Sequence, residues 1–362
     1  MNCWESITLL VKPVSADCNI SCAYCFYSPK SMLYPEDHPR MSEETLSILT
    51  EQTLSTGARS VSFVWQGGEP TLAGLDFYKK AVQLQGLYSY PAQRISNSIQ
   101  TNGILIDDQW AGFLRREKWL VGVSLDGGRD QHDAYRLDRV GRSTYEETRK
   151  ALDLLQSEKV RYNILALLND VNVRDPKGLY RDLKKEGHRY LQFIPCIEYD
   201  PDTDEPTNYS ITPEEYGRFL VEVFDEWVKD VPHVFVRDFE DIMIREVTGT
   251  SPNCVYSECG QYLVVEFNGD VYPCDFFVDH RWLLGNIHED SFEELANSER
   301  FKEFMDQRKL RADCVNCPWL RYCNSGCQKH MQAGRNYFCE SYKMFFEHAD
   351  DKIQELKKSL NR

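Results

Sequence analysis

Six short runs of β-branched and apolar residues punctuate the chain: "SITLLVK" (6–12), "SVSFVWQ" (60–66), "RISNSIQ" (94–100), "WLVGVSL" (119–125), "VRYNILALL" (160–168) and "RYLQFIP" (189–195). Each reads as a strand, and stretches of helical length with mixed polar and apolar residues separate them. One such stretch runs from Ser143 to Lys159, where Ser143 with Glu146 three positions on predicts a capping box. Six successive βα units force parallel strands with right-handed crossovers. The pattern therefore predicts an α/β fold, a partial (β/α)6 TIM-like barrel in place of a closed eight-stranded one.

After the sixth strand comes the acidic loop "YDPDTDEPTNYS" and then "TPEEYGRFLVEVFDEWVKD". Thr212 can cap this helix, Pro213 fits its first turn and Glu215 completes a capping box. Tyr216, Phe219, Leu220, Val223, Phe224 and Trp227 share one face and read as core. From about Cys254 the composition changes, with eight of the thirteen cysteines between there and Cys339. This predicts residues 1–232 as the barrel, 233–345 as a cluster-stabilised C-terminal domain and 346–362 as a closing helix.

A chain of 362 residues suits one large domain plus a smaller one, and 27% charged with 42% hydrophobic residues is ordinary for a globular protein. The net charge of -15 disfavours binding to nucleic acid, since no basic stripe is available to displace counterions from phosphates. No run of apolar residues is long enough to span a bilayer, and Glu5 interrupts the place where a signal peptide would be basic and then apolar. A cytoplasmic protein without membrane contact is expected. In such a chain, clustered cysteines point to metal ligation before disulfides.

The stretch "DCNISCAYCFYSPK" places Cys18, Cys22 and Cys25 within eight residues, directly after the first strand. Three thiolates can hold three irons of a 4Fe-4S cluster and leave the fourth open to another ligand. The alternative is structural zinc completed by a distant residue, although such sites usually come as two spaced pairs. The later group comprises Cys254, Cys259, Cys274, Cys314, Cys317, Cys323, Cys327 and Cys339, enough for two full clusters. A zinc-ribbon module using His330 is the competing reading there. Cys3 and Cys196 remain over, as a terminal thiol and a core thiol.

The C-x3-C-x2-C loop with Tyr24 before its third cysteine resembles that of the radical S-adenosylmethionine enzymes. "WQGGEPTLAG" (65–74), "SIQTNG" (98–103) and "VSLDG" (123–127) look like the family's further motifs at successive strand ends. The resemblance implies that backbone groups of Gly67, Gly68 and Glu69 hold the amino group of S-adenosylmethionine. It also places Tyr24, Ser124 and Asp126 around that cofactor, with Arg136 near its carboxylate. The later cysteines resemble the SPASM extension, which implies one auxiliary cluster on Cys254, Cys259, Cys274 and Cys327 and another on Cys314, Cys317, Cys323 and Cys339, three 4Fe-4S clusters in all.

"VYPCDFFV" (271–278) narrows the resemblance to the anaerobic sulfatase-maturating enzymes. In that family the acid after the PCDF cysteine, here Asp275, takes a proton from the substrate, and a carboxylate in a partly dry cavity suits a general base. Tyr27, Gln66 and Gln192 match contacts to the substrate peptide. The activity implied is oxidation of a Cys or Ser of a sulfatase polypeptide to Cα-formylglycine, started by a 5'-deoxyadenosyl radical. Reduced ferredoxin or flavodoxin would supply the electron. A SPASM-type enzyme that crosslinks a ribosomal peptide is the alternative, and only about seven residues precede the first strand where such enzymes often carry a leader-binding segment. A metal-stabilised electron carrier is a third reading, and it would cleave no cofactor.

Overall fold

The computed structural model describes residues 5–308, 310 and 312–360, so Cys3 lies outside the described residues. All six expected strands are present: β1 (Ser6–Lys12), β3 (Ser60–Trp65), β4 (Arg94–Thr101), β5 (Leu120–Ser124), β7 (Arg161–Leu168) and β8 (Tyr190–Pro195). Further short strands join them: β2 (Ile20–Cys22), β6 (Arg136–Asp138), β9 (Phe235–Val236), β10 (Leu263–Glu266), β11 (Asp270–Tyr272) and β12 (Gly285–Asn286). The result is an α/β fold whose strands are mostly parallel.

Two compact units emerge, and neither is a single stretch of chain. The first combines residues within 1–124, 136–162 and 260–306; the second combines 125–135, 163–259 and 307–362. In the first unit the strand order is β12-β11-β10-β1-β3-β4-β5. β10 pairs parallel with β1, so that Lys12 lies opposite Glu266, and β11 and β12 then run antiparallel. Burial explains why β1 accepts partners on both sides: Leu9 to Lys12 are all buried, the habit of a strand in the middle of a parallel sheet. An aromatic stack forms the adjoining core, with Trp65 and Trp119 parallel at 6.2 Å and Tyr78 edge-on to both at 5.5 and 5.6 Å.

The second unit holds β7, β8 and β9 in parallel order and the helix Pro213–Asp230. That helix begins as the sequence predicts, with Thr212 and Glu215 forming a reciprocal capping box and Pro213 in the first turn. Its stripe from Tyr216 to Trp227 is buried, and Phe224 meets Phe239 and Phe345 edge-on at 5.2 and 5.4 Å. Phe345 comes from the last helix, Cys339–Leu360, which starts on a cysteine.

The helix expected from Ser143 runs Tyr145–Ser157 behind Thr144, whose hydroxyl donates to the Arg136 carbonyl at 2.7 Å, and Ser143 forms an isolated antiparallel bridge to Leu137. No helix among the described residues is long and apolar enough to cross a membrane.

Candidate active site

In the first unit the C-terminal ends of β1, β3, β4 and β10 carry the chemistry-bearing residues, as parallel α/β sheets generally arrange them. The loop after β1 holds Cys18, Cys22 and Cys25, all half-buried and free of disulfides. Cys22 sits on β2 opposite Arg136 of β6, and the Arg136 guanidinium donates to the Tyr24 hydroxyl at 3.1 Å. Asp17, just before the first cysteine, accepts from Arg40 and Arg139, both at 2.9 Å. The loop is thus held from outside its own sequence.

The turn after β3 locks onto it. Gly68 N–H donates to the Ser15 carbonyl at 2.7 Å and Glu69 N–H to the Asp17 carbonyl at 2.8 Å. With both N–H groups taken, this turn would meet an ammonium with carbonyl oxygens, the acceptors that an amino group needs. A side chain at Gly68 would place its Cβ 1.9 Å from the Asp17 oxygen. Gly68→Ala is therefore expected to push the two loops apart, at a cost on the order of 1–3 kcal/mol. The check is iron content after reconstitution, which should fall by one cluster; a full complement would show that the loops tolerate separation.

Sequence reasoning assigned Glu69 a role through its backbone, whereas its side chain does more. The carboxylate is buried and accepts from Thr71 N–H at 3.0 Å, the Thr71 hydroxyl at 2.5 Å, the Thr101 hydroxyl at 2.8 Å and Asn102 N–H at 2.8 Å. Burial raises its proton affinity, and these donors oppose that. The same carboxylate acts on the first cysteine: burial pushes the Cys18 thiol up to about 12, with Glu69, Cys22 and Cys25 adding to the rise. A buried thiol of this kind sheds its proton when a metal cation binds it.

Asp275 lies in the same unit, on the loop after β11. Its Oδ1 accepts from the Tyr262 hydroxyl at 3.1 Å and from the neighbouring Cys274 Sγ at 3.7 Å, and Oδ2 is 3.8 Å from the Lys12 Nζ. Tyr262 also stands 3.3 Å from the Cys274 Sγ. Tyr27 is buried and its hydroxyl donates to Glu266, while Phe26 meets Phe276 at 4.7 Å, joining the loop after β1 to the "PCDFF" segment. Gln66, nearly buried, bonds through its N–H to Val11. Lys12, Tyr262 and Glu266 went unremarked in the sequence; the available signal was a lysine closing a strand that is otherwise apolar.

The remaining expected residues are Ser124, Asp126, Gln192 and Cys196. Ser124 is half-buried at the end of β5 in the first unit. Asp126 belongs to the second unit, fully buried, and its Oδ1 accepts from Leu167 N–H at 3.0 Å, a structural bond within that unit. Gln192, on β8, is half-buried there too. Cys196 is buried, as expected of a core thiol.

Of the auxiliary cysteines, Cys314, Cys317, Cys323 and Cys339 line one cavity of about 50 Å³ in the second unit. Burial pushes the Cys323 thiol up to about 11, and the other three raise it further. Cys254, Cys259 and Cys327 also belong to the second unit, where Arg308 donates to the Cys254 carbonyl at 2.9 Å, whereas Cys274 belongs to the first. Among the described residues, no three His, Cys, Asp or Glu side chains converge closely enough to hold a single metal ion. Cluster thiolates stand farther apart, because each ligates a different iron.

Comparison with known proteins agrees with this chemistry. Residues 13–183 match the radical SAM superfamily, and residues 254–318 match SPASM, an iron-sulfur cluster-binding domain. The chain is 37% identical to the cysteine-type anaerobic sulfatase-maturating enzyme of Clostridium perfringens, covering 95% of this chain and 96% of that protein. It is 35% identical to the serine-type enzyme of Bacteroides thetaiotaomicron, over 98% and 92% of the two chains. The solved structure of native anSMEcpe with bound AdoMet and Cp18Cys peptide superposes with a TM-score of 0.91 at 35% identity, over 98% and 99%. With its cysteine loop, its locked glycine turn and this similarity along nearly its whole length, the chain belongs to the anaerobic sulfatase-maturating enzymes of the radical SAM superfamily.

Proposed function

We propose that this enzyme oxidises the active-site Cys or Ser of a sulfatase at Cβ to Cα-formylglycine, with Asp275 accepting the thiol or hydroxyl proton. The carrying observation is the placement of Asp275: a buried carboxylate next to a cluster cysteine, held by Lys12 from the end of β1 and by Tyr262. Loss of one Cβ hydrogen atom, one proton and one electron leaves a thioaldehyde from Cys, which water hydrolyses, or the aldehyde directly from Ser.

On this reading Cys18, Cys22 and Cys25 hold the cluster that binds S-adenosylmethionine. Gly67, Gly68 and Glu69 take the cofactor's amino group, and Tyr24, Ser124, Asp126 and Arg136 surround the rest of it. When bound, these groups supply the 5'-deoxyadenosyl radical that takes the hydrogen atom, and the auxiliary clusters supply a route for the remaining electron. Cys254, Cys259, Cys274 and Cys327 would hold one auxiliary cluster, and Cys314, Cys317, Cys323 and Cys339 the other. The cavity that the last four share supports the second set. Tyr27, Gln66 and Gln192 are assigned to the peptide. Residues 1–232 carry the radical chemistry, 233–345 the auxiliary clusters and 346–362 the chain's end. Reduced ferredoxin or flavodoxin is the proposed donor and the cytoplasm the proposed compartment; the absence of disulfides among the described cysteines is compatible with its reducing conditions.

The test uses two otherwise identical sulfatase-motif peptides, one with Cys and one with Ser, incubated anaerobically with reconstituted enzyme, reductant and S-adenosylmethionine. Mass spectrometry should find the aldehyde in at least one, and which one identifies the substrate type. Formation of 5'-deoxyadenosine with both peptides intact would move the activity to another peptide substrate.

A further inference from the structure

Lys12 is 1% exposed, a lysine at the end of a strand in which the three preceding residues, Leu9 to Val11, are apolar and buried. Its Nζ lies 3.8 Å from Asp275 Oδ2 and 4.1 Å from the centroid of the Tyr27 ring, over its face. Glu266, opposite Lys12 on β10, is a second carboxylate acting on the ammonium, and it also receives the Tyr27 hydroxyl. Taking an ammonium out of water costs several kcal/mol, and its attraction to buried carboxylates often only offsets that loss. An apolar set in place of the lysine and its two carboxylates would fill the same space without that cost, so fold stability does not account for the ionic group.

We propose that Lys12 is the positioning residue for Asp275, an inference that rests on the base role given to Asp275 above. The two carboxylate oxygens have separate partners, Tyr262 and the neighbouring Cys274 on Oδ1 and Lys12 on Oδ2. Two partners on opposite oxygens stop the carboxylate from rotating about its Cβ–Cγ bond. Its lone pairs then keep one direction in which to receive the substrate proton. The covering of both faces of β1 at its end, where Val11 and Lys12 are both buried, and the pairing of β10 with β1 place the ammonium there. Tyr27, beneath the ammonium and assigned to the peptide, makes the same cation a link between base and substrate.

Lys12→Met, Asp275→Asn and the double variant, each reconstituted with iron and sulfide, test the proposal. The readouts are formylglycine formed per 5'-deoxyadenosine, the rate of 5'-deoxyadenosine formation and the iron content. Lys12→Met should lower the product ratio by about 10- to 100-fold, leave iron and cofactor cleavage intact, and add nothing in the Asp275→Asn background, because the two residues act as a unit. An unchanged ratio overturns the proposal, as does a Lys12 effect that persists undiminished without Asp275. Loss of iron or of cofactor cleavage in Lys12→Met also overturns it, marking the residue as structural. A normal ratio in Asp275→Asn alone is a different failure: it removes the base assignment itself, and the positioning role with it.

Discussion

A variant in which Cys18, Cys22 and Cys25 are all alanine should form no 5'-deoxyadenosine above a protein-free control, while retaining the iron of its auxiliary clusters. Each thiolate supplies the protein ligand of one iron, so removing all three leaves nothing to hold the cluster. The eight later cysteines lie in sequence positions that the substitution does not touch, and four of them share a cavity in the second unit. Iron analysis and anaerobic chromatography of the nucleoside products read the two effects separately. Retained cleavage would remove the loop after β1 from the chemistry. Loss of all iron would instead mean that the loop is needed to fold the chain.

The second large effect falls on Asp275. Asparagine has the same shape and can still accept from Tyr262, but its amide does not take up a proton at neutral pH. Asp275→Asn should therefore cut formylglycine formation by a factor on the order of 100 to 10,000, the range for loss of a general base. Cofactor cleavage precedes that proton transfer and should continue, so 5'-deoxyadenosine would accumulate without matching product. Equal losses of cleavage and product would place Asp275 in cofactor binding, and an unchanged product yield would take it out of the mechanism.

These expectations rest on features of two kinds. The six strands, the Thr212 capping box and the stripe from Tyr216 to Trp227 are readable along the chain, because each depends on residues a few positions apart. The cysteine loop is readable for the same reason: its three ligands fall within eight residues. The helix start is less sharply readable: the helix begins at Tyr145, and Ser143 also bridges to Leu137, a contact that a helix-start rule does not include. Glu69 was given to the cofactor through its backbone, whereas its carboxylate also ties the turn after β3 to Thr101 and Asn102 after β4.

The chain's own order of residues pointed to its family: the cysteine loop, the glycine turn and the acid after Cys274 are local signatures, and local signatures survive being read one residue after another. Their assembly came from folding. β10 pairs with β1 across some two hundred and fifty residues of sequence, and that pairing sets Glu266 opposite Lys12 and brings the loop bearing Asp275 to the end of the first strand. Periodicity could mark β10 as a strand, but it could not name its neighbour, because pairing is decided by which edge is left open once the other strands have closed. The same step places residues 260–306 in the unit of the first strands.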